Sequence, residues 1–255
     1  MFELFRKGTE INTAQIADII ENAVYAHIKP YGFKKHGRTL HRFVSGDISQ
    51  LINFQCGMPA KGMGGLLCVN LGIRIPECSE RRFQPRAEKK KYYHEYECTI
   101  RSRLGIVSGK QEIWYELRKN TDKIIKSIIE EIDQYVLPAY EVLNSREAIL
   151  AHRRDFPLLD SLEHRLILLE ECMIYGHLGD TEKAKLLFEE YYGAAVEEYN
   201  DRIKNGRKQY LKKGERVVFM GQDITAEKDG YVTLYGANRG HIDYLDELAL
   251  SLVLR

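Results

Sequence analysis

The sequence predicts an α+β fold: a two-layer, antiparallel five-stranded sheet flanked by helices and followed by an α-helical C-terminal region. Two observations predict the first part. Apolar residues recur at helical spacing in residues 13–28 and 121–136, and between them five short runs alternate apolar and polar residues with a consistent parity. A third predicts the second part: beyond residue 140 helical spacing dominates. The expected domains are therefore 1–140, the sheet domain, and 141–255, mainly helical, with a helical hairpin near 160–200 and a short β-hairpin near 215–236. With 255 residues, 44% hydrophobic and 29% charged, the chain is long enough for one large domain or two modest ones.

The first helix begins where Asn12 or Thr13 can accept a hydrogen bond from a free backbone N–H. Ile16, Ile19, Ile20, Ala23, Val24 and Ile28 then form an apolar stripe, and Pro30 and Gly32 end it. Strand runs follow at "FKKHGRTLHRFV" and "ISQLINFQCG", joined by the turn Ser45-Gly46-Asp47. "LLCVNLGIRIP" is the third strand, "YHEYECTIRSRLG" the fourth and "QEIWYELRK" the fifth. Ile52, Phe54, Cys56, Leu67, Val69, Leu71, Ile73, Tyr96, Cys98, Ile100, Leu104, Ile113, Tyr115 and Leu117 share the parity that faces a core. One-sided alternation suits an antiparallel sheet with one face covered and the other wet. Thr121 can cap the second helix, whose stripe is Ile124, Ile125, Ile128, Ile129, Ile132 and Val136.

"YGHLGDTEKAKLLFEEYY" resembles the hinge of a tetratricopeptide repeat, with Gly179-Asp180 between two helices. A single such unit predicts one helical hairpin, because an array buries its faces only against neighbours. "ERVVFM" and "GYVTLYG" have strand character, with Lys228-Asp229-Gly230 as their turn, and "HIDYLDELALSLVL" is expected as a last helix.

"YGFKKHGRTLHR", "LINFQ" and "VNLGI", in that order, resemble a bacterial family known only as a domain of unknown function. The residues that carry the resemblance are Gly32, Phe33, Lys34, Lys35, Arg38, Ile52, Asn53, Phe54, Gln55, Asn70, Leu71, Gly72 and Ile73, and it covers roughly the first 120 residues. It implies a small cytoplasmic binding or accessory protein and no particular chemistry.

Composition narrows the function classes. The start "MFELFRKGTEIN" lacks the apolar stretch of a secretory signal, and no window approaches the ~20 apolar residues of a membrane span. Five scattered cysteines without a Cys-x-x-Cys pair fit reduced thiols in a cytoplasm. Residues 1–110 carry 18 Lys and Arg against 10 Asp and Glu, whereas the rest carries 20 against 27. A basic half can attract a polyanion; equally, a basic front and an acidic back can attract each other.

Two groups of residues have compositions that point to binding chemistry. The second parity of the sheet presents Asn53, Gln55, Asn70, Arg74, Arg101, Arg103 and Trp114, with Arg38 joining them if the first strand turns that way. Arginine forks grip carboxylate or phosphate, amides supply paired donors and acceptors, and the indole offers a stacking surface. Cross-strand pairing on a solvated sheet explains the same residues. The basic loop Arg81, Arg82, Arg86, Lys89, Lys90 and Lys91, with Phe83, Tyr92 and Tyr93 interleaved, has the composition of a nucleic-acid contact or of a solvated connection. Neither a zinc pattern nor a nucleophile elbow is present, His36 and His41 are expected on opposite faces, and no metal, cofactor or catalytic residue is implied. The expectation is a non-enzymatic cytoplasmic protein that uses the polar face and basic loop to contact a protein or other acidic partner. Nucleic-acid binding is the alternative, and an enzyme of unknown chemistry comes third.

Overall fold

The structure, a computed structural model, describes residues 12–58, 61–78, 92–110, 114–160, 164–219, 222–234 and 239–252. The chain forms two compact units, residues 1–162 and 163–255.

Helix α1 (Thr13–Ile28) opens on a reciprocal cap. The Asn12 side chain accepts from the Gln15 N–H at 2.9 Å, and the Gln15 side chain accepts from the Asn12 N–H at 3.0 Å. Its buried face is Ala17, Ile20, Glu21, Val24 and Ile28, while Ile19 is exposed. The stripe is rotated from the expected one because Glu21 is drawn inward by Lys35 (2.7 Å) and Arg38 (3.2 Å).

The sheet contains β1 (Lys34–His36), β2 (Thr39–Val44), β3 (Ile48–Cys56), β4 (Leu66–Arg74), β5 (Ile100–Arg103) and β6 (Tyr115–Glu116). Its order is β1-β2-β3-β4-β5, with β6 also on β4 and all neighbours antiparallel. The α+β class and the antiparallel meander are as the sequence predicts. Two runs differ. The first breaks at Gly37, whose φ of 55° suits glycine at the start of a two-residue hairpin loop, and so yields β1 and β2. The fourth contributes only β5; residues 95–97 form a 3-10 turn instead. Helix α2 (Leu104–Val107) is a single turn after β5.

Leu40, Ile52, Phe54, Leu67, Val69, Leu71, Ile73 and Ile100 share one buried face by register. Asn120, one residue before the expected cap, accepts from Lys123 N–H to open α3 (Thr121–Glu131). The helix widens over Ile132–Val136, where Leu137 N–H reaches back to Ile132 O, and continues as α4 (Leu137–Val142). Pro138 lacks the N–H that would carry the regular pattern across this point. Ile124, Ile128, Ile132, Val136, Leu137 and Tyr140 are buried.

A polar network ties α4 to the sheet. Tyr140 is fully buried; its hydroxyl donates to Leu51 O (2.8 Å) and accepts from Gly72 N–H (3.0 Å), bridging a register pair of β3 and β4. Gln50 donates to Tyr140 O (2.6 Å) and Leu143 O (3.1 Å), and accepts from Arg42 Nε (2.7 Å). Arg42 reaches on to Tyr31 O (2.9 Å) and Glu141 (2.8 Å). Burial pushes the Tyr140 phenol far above its ordinary value, so it stays a hydroxyl.

Residues beyond 140 remain with the first unit. In α5 (Arg146–His152), Arg146 grips Glu77 through two bonds of 2.8 Å and Asp47 through bonds of 2.9 and 3.1 Å. Ser102 donates to Leu158 O at 2.7 Å.

In the second unit, α6 (His164–Leu178) and α7 (Thr181–Lys204) form the expected helical hairpin. Gly179 takes φ 82° between them, and Asp180 caps α7 through Lys183 N–H. The strands that follow are β7 (Arg207–Leu211), β8 (Arg216–Phe219), β9 (Gln222–Thr225) and β10 (Gly230–Leu234). Here the expected pairing is corrected: "GYVTL" pairs with β7, and "RVVF" with β9. Arg207 pairs with Leu234 and Phe219 with Gln222 in one unchanged register, so the four strands make a single long hairpin, interrupted near Lys228–Gly230 rather than turning there. Helix α8 (Gly240–Ser251) follows, and Gly176 of α6 lies so close to Leu252 that an added Cβ would meet it at 2.9 Å. No helix among the described residues is long and apolar enough to cross a membrane.

Replacing Tyr140 by Phe keeps the ring but strands Leu51 O and Gly72 N–H. The expected cost is about 1–3 kcal/mol, read as a lower denaturant midpoint with an unchanged slope.

Candidate functional site

Period-two geometry sends the alternate residues of β1–β5 to the face opposite the helices. Register aligns His36, Thr39, Asn53, Asn70 and Arg103 in one row across five strands. Lys34, His41, Leu51, Gly72 and Arg101 form the adjacent row. The central row is wired by its own side chains. Asn53 Nδ2 donates to Thr39 Oγ1 (2.9 Å), and Asn70 Nδ2 donates to Asn53 Oδ1 (3.3 Å) and Gln55 Oε1 (2.9 Å). The mid-strand asparagines thus satisfy one another, while Gln55 stands exposed at the end of the chain of bonds.

This face is not the open wet surface expected. Residues 92–98 cross it. Tyr92 stacks on His36 at 3.7 Å and meets His41 edge-on at 4.8 Å. The Arg74 guanidinium lies 3.8 Å from the Tyr93 ring centre, and Cys98 sits on Gly72, where an added Cβ would meet Sγ at 2.5 Å. Asn70 and Arg74 are consequently buried, and Asn53 is half-buried. Glu95 and Glu97 belong to the crossing turn, not to a strand, and Tyr96 points to solvent instead of the core. Cys98, expected on the helix side, packs on the polar face, because the chain folds over the sheet before entering β5.

Arg38 is also corrected. It shares parity with Leu40 and reaches α1, pairing with Asp18 (2.6 Å) and Glu21 (3.2 Å). Arg101 is exposed and donates to Tyr96 O at 3.4 Å; Arg103 is half-buried, 5.8 Å from the Trp114 ring centre, and Trp114 is half-buried rather than exposed. The basic loop Arg81, Arg82, Arg86, Lys89, Lys90 and Lys91 lies outside the described residues, as do Phe83, Glu112 and Ile113.

Two hollows flank the crossing segment. One, of about 560 Å3, is lined by residues that include His36, Thr39, Asn53, Tyr92, Tyr93 and His94. The other, of about 280 Å3, gathers Gln55, Asn70, Glu95, Arg101, Ser102 and Arg103. Sequence reasoning missed His36, Thr39 and His41 as members of this face, and placed the two histidines on opposite sides. The two-residue loop at Gly37 brings both to one side of Tyr92. A lone glycine inside a strand-like run was the available signal. His41 is only 4% exposed, and its Nδ1 has no hydrogen-bond partner among the described residues. Burial, then the nearby His36 and Lys34, hold its pKa below the ordinary 6.5. Burial pushes the Cys98 thiol up, far from thiolate formation. Among the described residues no three His, Cys, Asp or Glu converge as metal ligands.

The paired Asn53 and Asn70 lie in β3 and β4. Residues 24–141 match the family model DUF4304, a domain of unknown function. The DUF4304 match runs from within α1 to within α4, and so takes in the whole sheet, the end of α1, all of α3 and nearly all of α4. No curated protein and no solved structure matches the chain.

Two consequences are measurable. Gly72→Ala drives a methyl into Cys98 and should lift residues 92–98 from the sheet; in a Cys56→Ser background, faster reaction of Cys98 with a thiol reagent would report it. The depressed His41 pKa means that the unfolded chain takes up the proton first as the pH falls through 6.5, so stability declines from there toward the folded value. His41→Phe should flatten this loss between pH 7 and 5 in urea melts; an unchanged slope would assign it to other groups.

Proposed function

We propose that the protein is a non-enzymatic binding or accessory protein of the bacterial cytoplasm, holding an acidic protein partner on the polar face of its DUF4304 sheet. The observation that carries this reading is the smaller hollow, where Gln55, Arg101 and Arg103 converge beside the buried Asn70. Guanidinium forks and amide donors suit carboxylates, and the hydrogen bonds from Thr39 through Asn70 to Gln55 hold the amides in place before a partner arrives. The groups with shifted acidity on this face, His41, Cys68 and Cys98, line neither hollow, which favours binding over acid–base or nucleophilic chemistry. The five cysteines carry thiols, four of them buried, in keeping with a reducing compartment.

The test compares full-length wild type with Gln55→Ala/Arg101→Ala/Arg103→Ala as immobilised baits in bacterial lysate at ~50 and ~300 mM salt. The reading expects acidic proteins that bind wild type at low salt, elute with poly-L-glutamate and are lost from the variant. The same proteins retained by both baits would refute this surface.

A further inference from the structure

The long hairpin of the second unit carries a surface that the DUF4304 match does not reach. Residues 202–216 hold seven of the thirteen Lys and Arg found after residue 162, against one acidic residue, Glu215. The register sorts these residues by face. Arg207, Gln209 and Leu211 share the inner side with Val232 and Leu234, and Leu211 and Leu234 are buried. Lys208, Tyr210, Tyr231 and Thr233 share the outer side.

Tyr210 and Tyr231 are direct cross-strand partners, 51% and 74% exposed, with ring centres 5.3 Å apart and planes 76° apart. Half or more of each of these two aromatic side chains is left open to a ligand. Lys208 on the same side, and Lys212 and Lys213 just after β7, are exposed and form no ion pair with any carboxylate among the described residues. Two nearby arginines are already engaged: Arg216 holds Asp223, and Arg202 holds Glu198. The carboxylates near the turn are likewise used on the backbone, Glu215 accepting from Lys212 N–H (2.8 Å) and Asp229 from Lys213 N–H (2.7 Å). What remains is a pair of exposed rings on the outer face, with Lys208 on the same face and Lys212 and Lys213 just past the end of β7, all three ammonium groups without a carboxylate partner among the described residues.

We infer that this face of the β7–β10 ribbon is a binding surface for single-stranded nucleic acid, with bases stacking on Tyr210 and Tyr231 and phosphates neutralised by Lys208, Lys212 and Lys213. Charge alone would suit any polyanion; the exposed ring pair favours one whose monomers have flat faces. A two-stranded ribbon also fits a major groove, but duplex bases are already stacked and offer the rings nothing.

The test measures anisotropy of a labelled 20-nucleotide oligothymidylate with the full-length protein over ~50–200 mM salt. Wild type should bind, and Tyr210→Ala/Tyr231→Ala should weaken binding at least tenfold with its far-UV circular dichroism unchanged. Lys208→Ala/Lys212→Ala/Lys213→Ala should flatten the slope of log affinity against log salt by about 2, the counterion release expected for three single-strand phosphates. Lys89→Ala/Lys90→Ala/Lys91→Ala should bind like wild type, which separates this ribbon from the basic loop. No binding by wild type, full affinity in the tyrosine variant, tighter binding of the matching duplex, or equal displacement by poly-L-glutamate would each overturn the assignment.

Discussion

One phenol oxygen holds the first unit together. The Tyr140 hydroxyl sits between Leu51 and Gly72, taking a hydrogen bond from one strand and giving one to the other. A buried tyrosine needs such a partner, and here the partner is the ladder itself. Gln50 and Arg42 complete the attachment, so α4 is fixed to β3 through directional bonds as well as apolar contact. The wide turn at Ile132–Val136 follows from this demand. It lets Ile124, Ile128 and Ile132 pack the sheet on one side of the irregularity while Leu137 and Tyr140 do so on the other.

Gly72 serves both faces at once. Toward the helices its peptide meets Tyr140; toward the other side its missing Cβ makes room for Cys98. The crossing segment can therefore lie close against the sheet, and its aromatic residues shelter Arg74 and His41. The polar row survives beneath this cover because its members bond to one another, which removes the cost of burying unpaired amides.

Much of this was legible in the residues. The nine-residue strands β3 and β4 alternate without interruption, so their two faces follow directly from parity, and the register places Asn53 opposite Asn70 as that parity requires. Helix positions followed from apolar spacing and caps. Less was legible where local pattern and tertiary contact disagree. "HEYEC" alternates like a strand, yet the cavity above Gly72 captures Cys98 and the chain turns. Arg38 has no fixed side in sequence; Asp18 and Glu21, one helical turn apart on α1, decide it. The candidate site was thus visible as a set of residues, but not the segment that covers half of it, because that cover depends on a contact between positions far apart in sequence.

The unchanged register of the long hairpin constrains the order in which it can assemble. Phe219 and Gln222 are separated by two residues, whereas Leu211 and Gly230 are separated by eighteen. Joining the distant pair first costs about 2 kcal/mol more in chain-closure entropy than joining the near one. Pairing should therefore nucleate at the tip and zip toward the base, carried across the irregular middle by the bonds between Gly214, Glu215 and Ala226. Tyr210 and Tyr231 meet last in that sequence, and their side-by-side arrangement is a product of the completed zipper rather than of local chain preference.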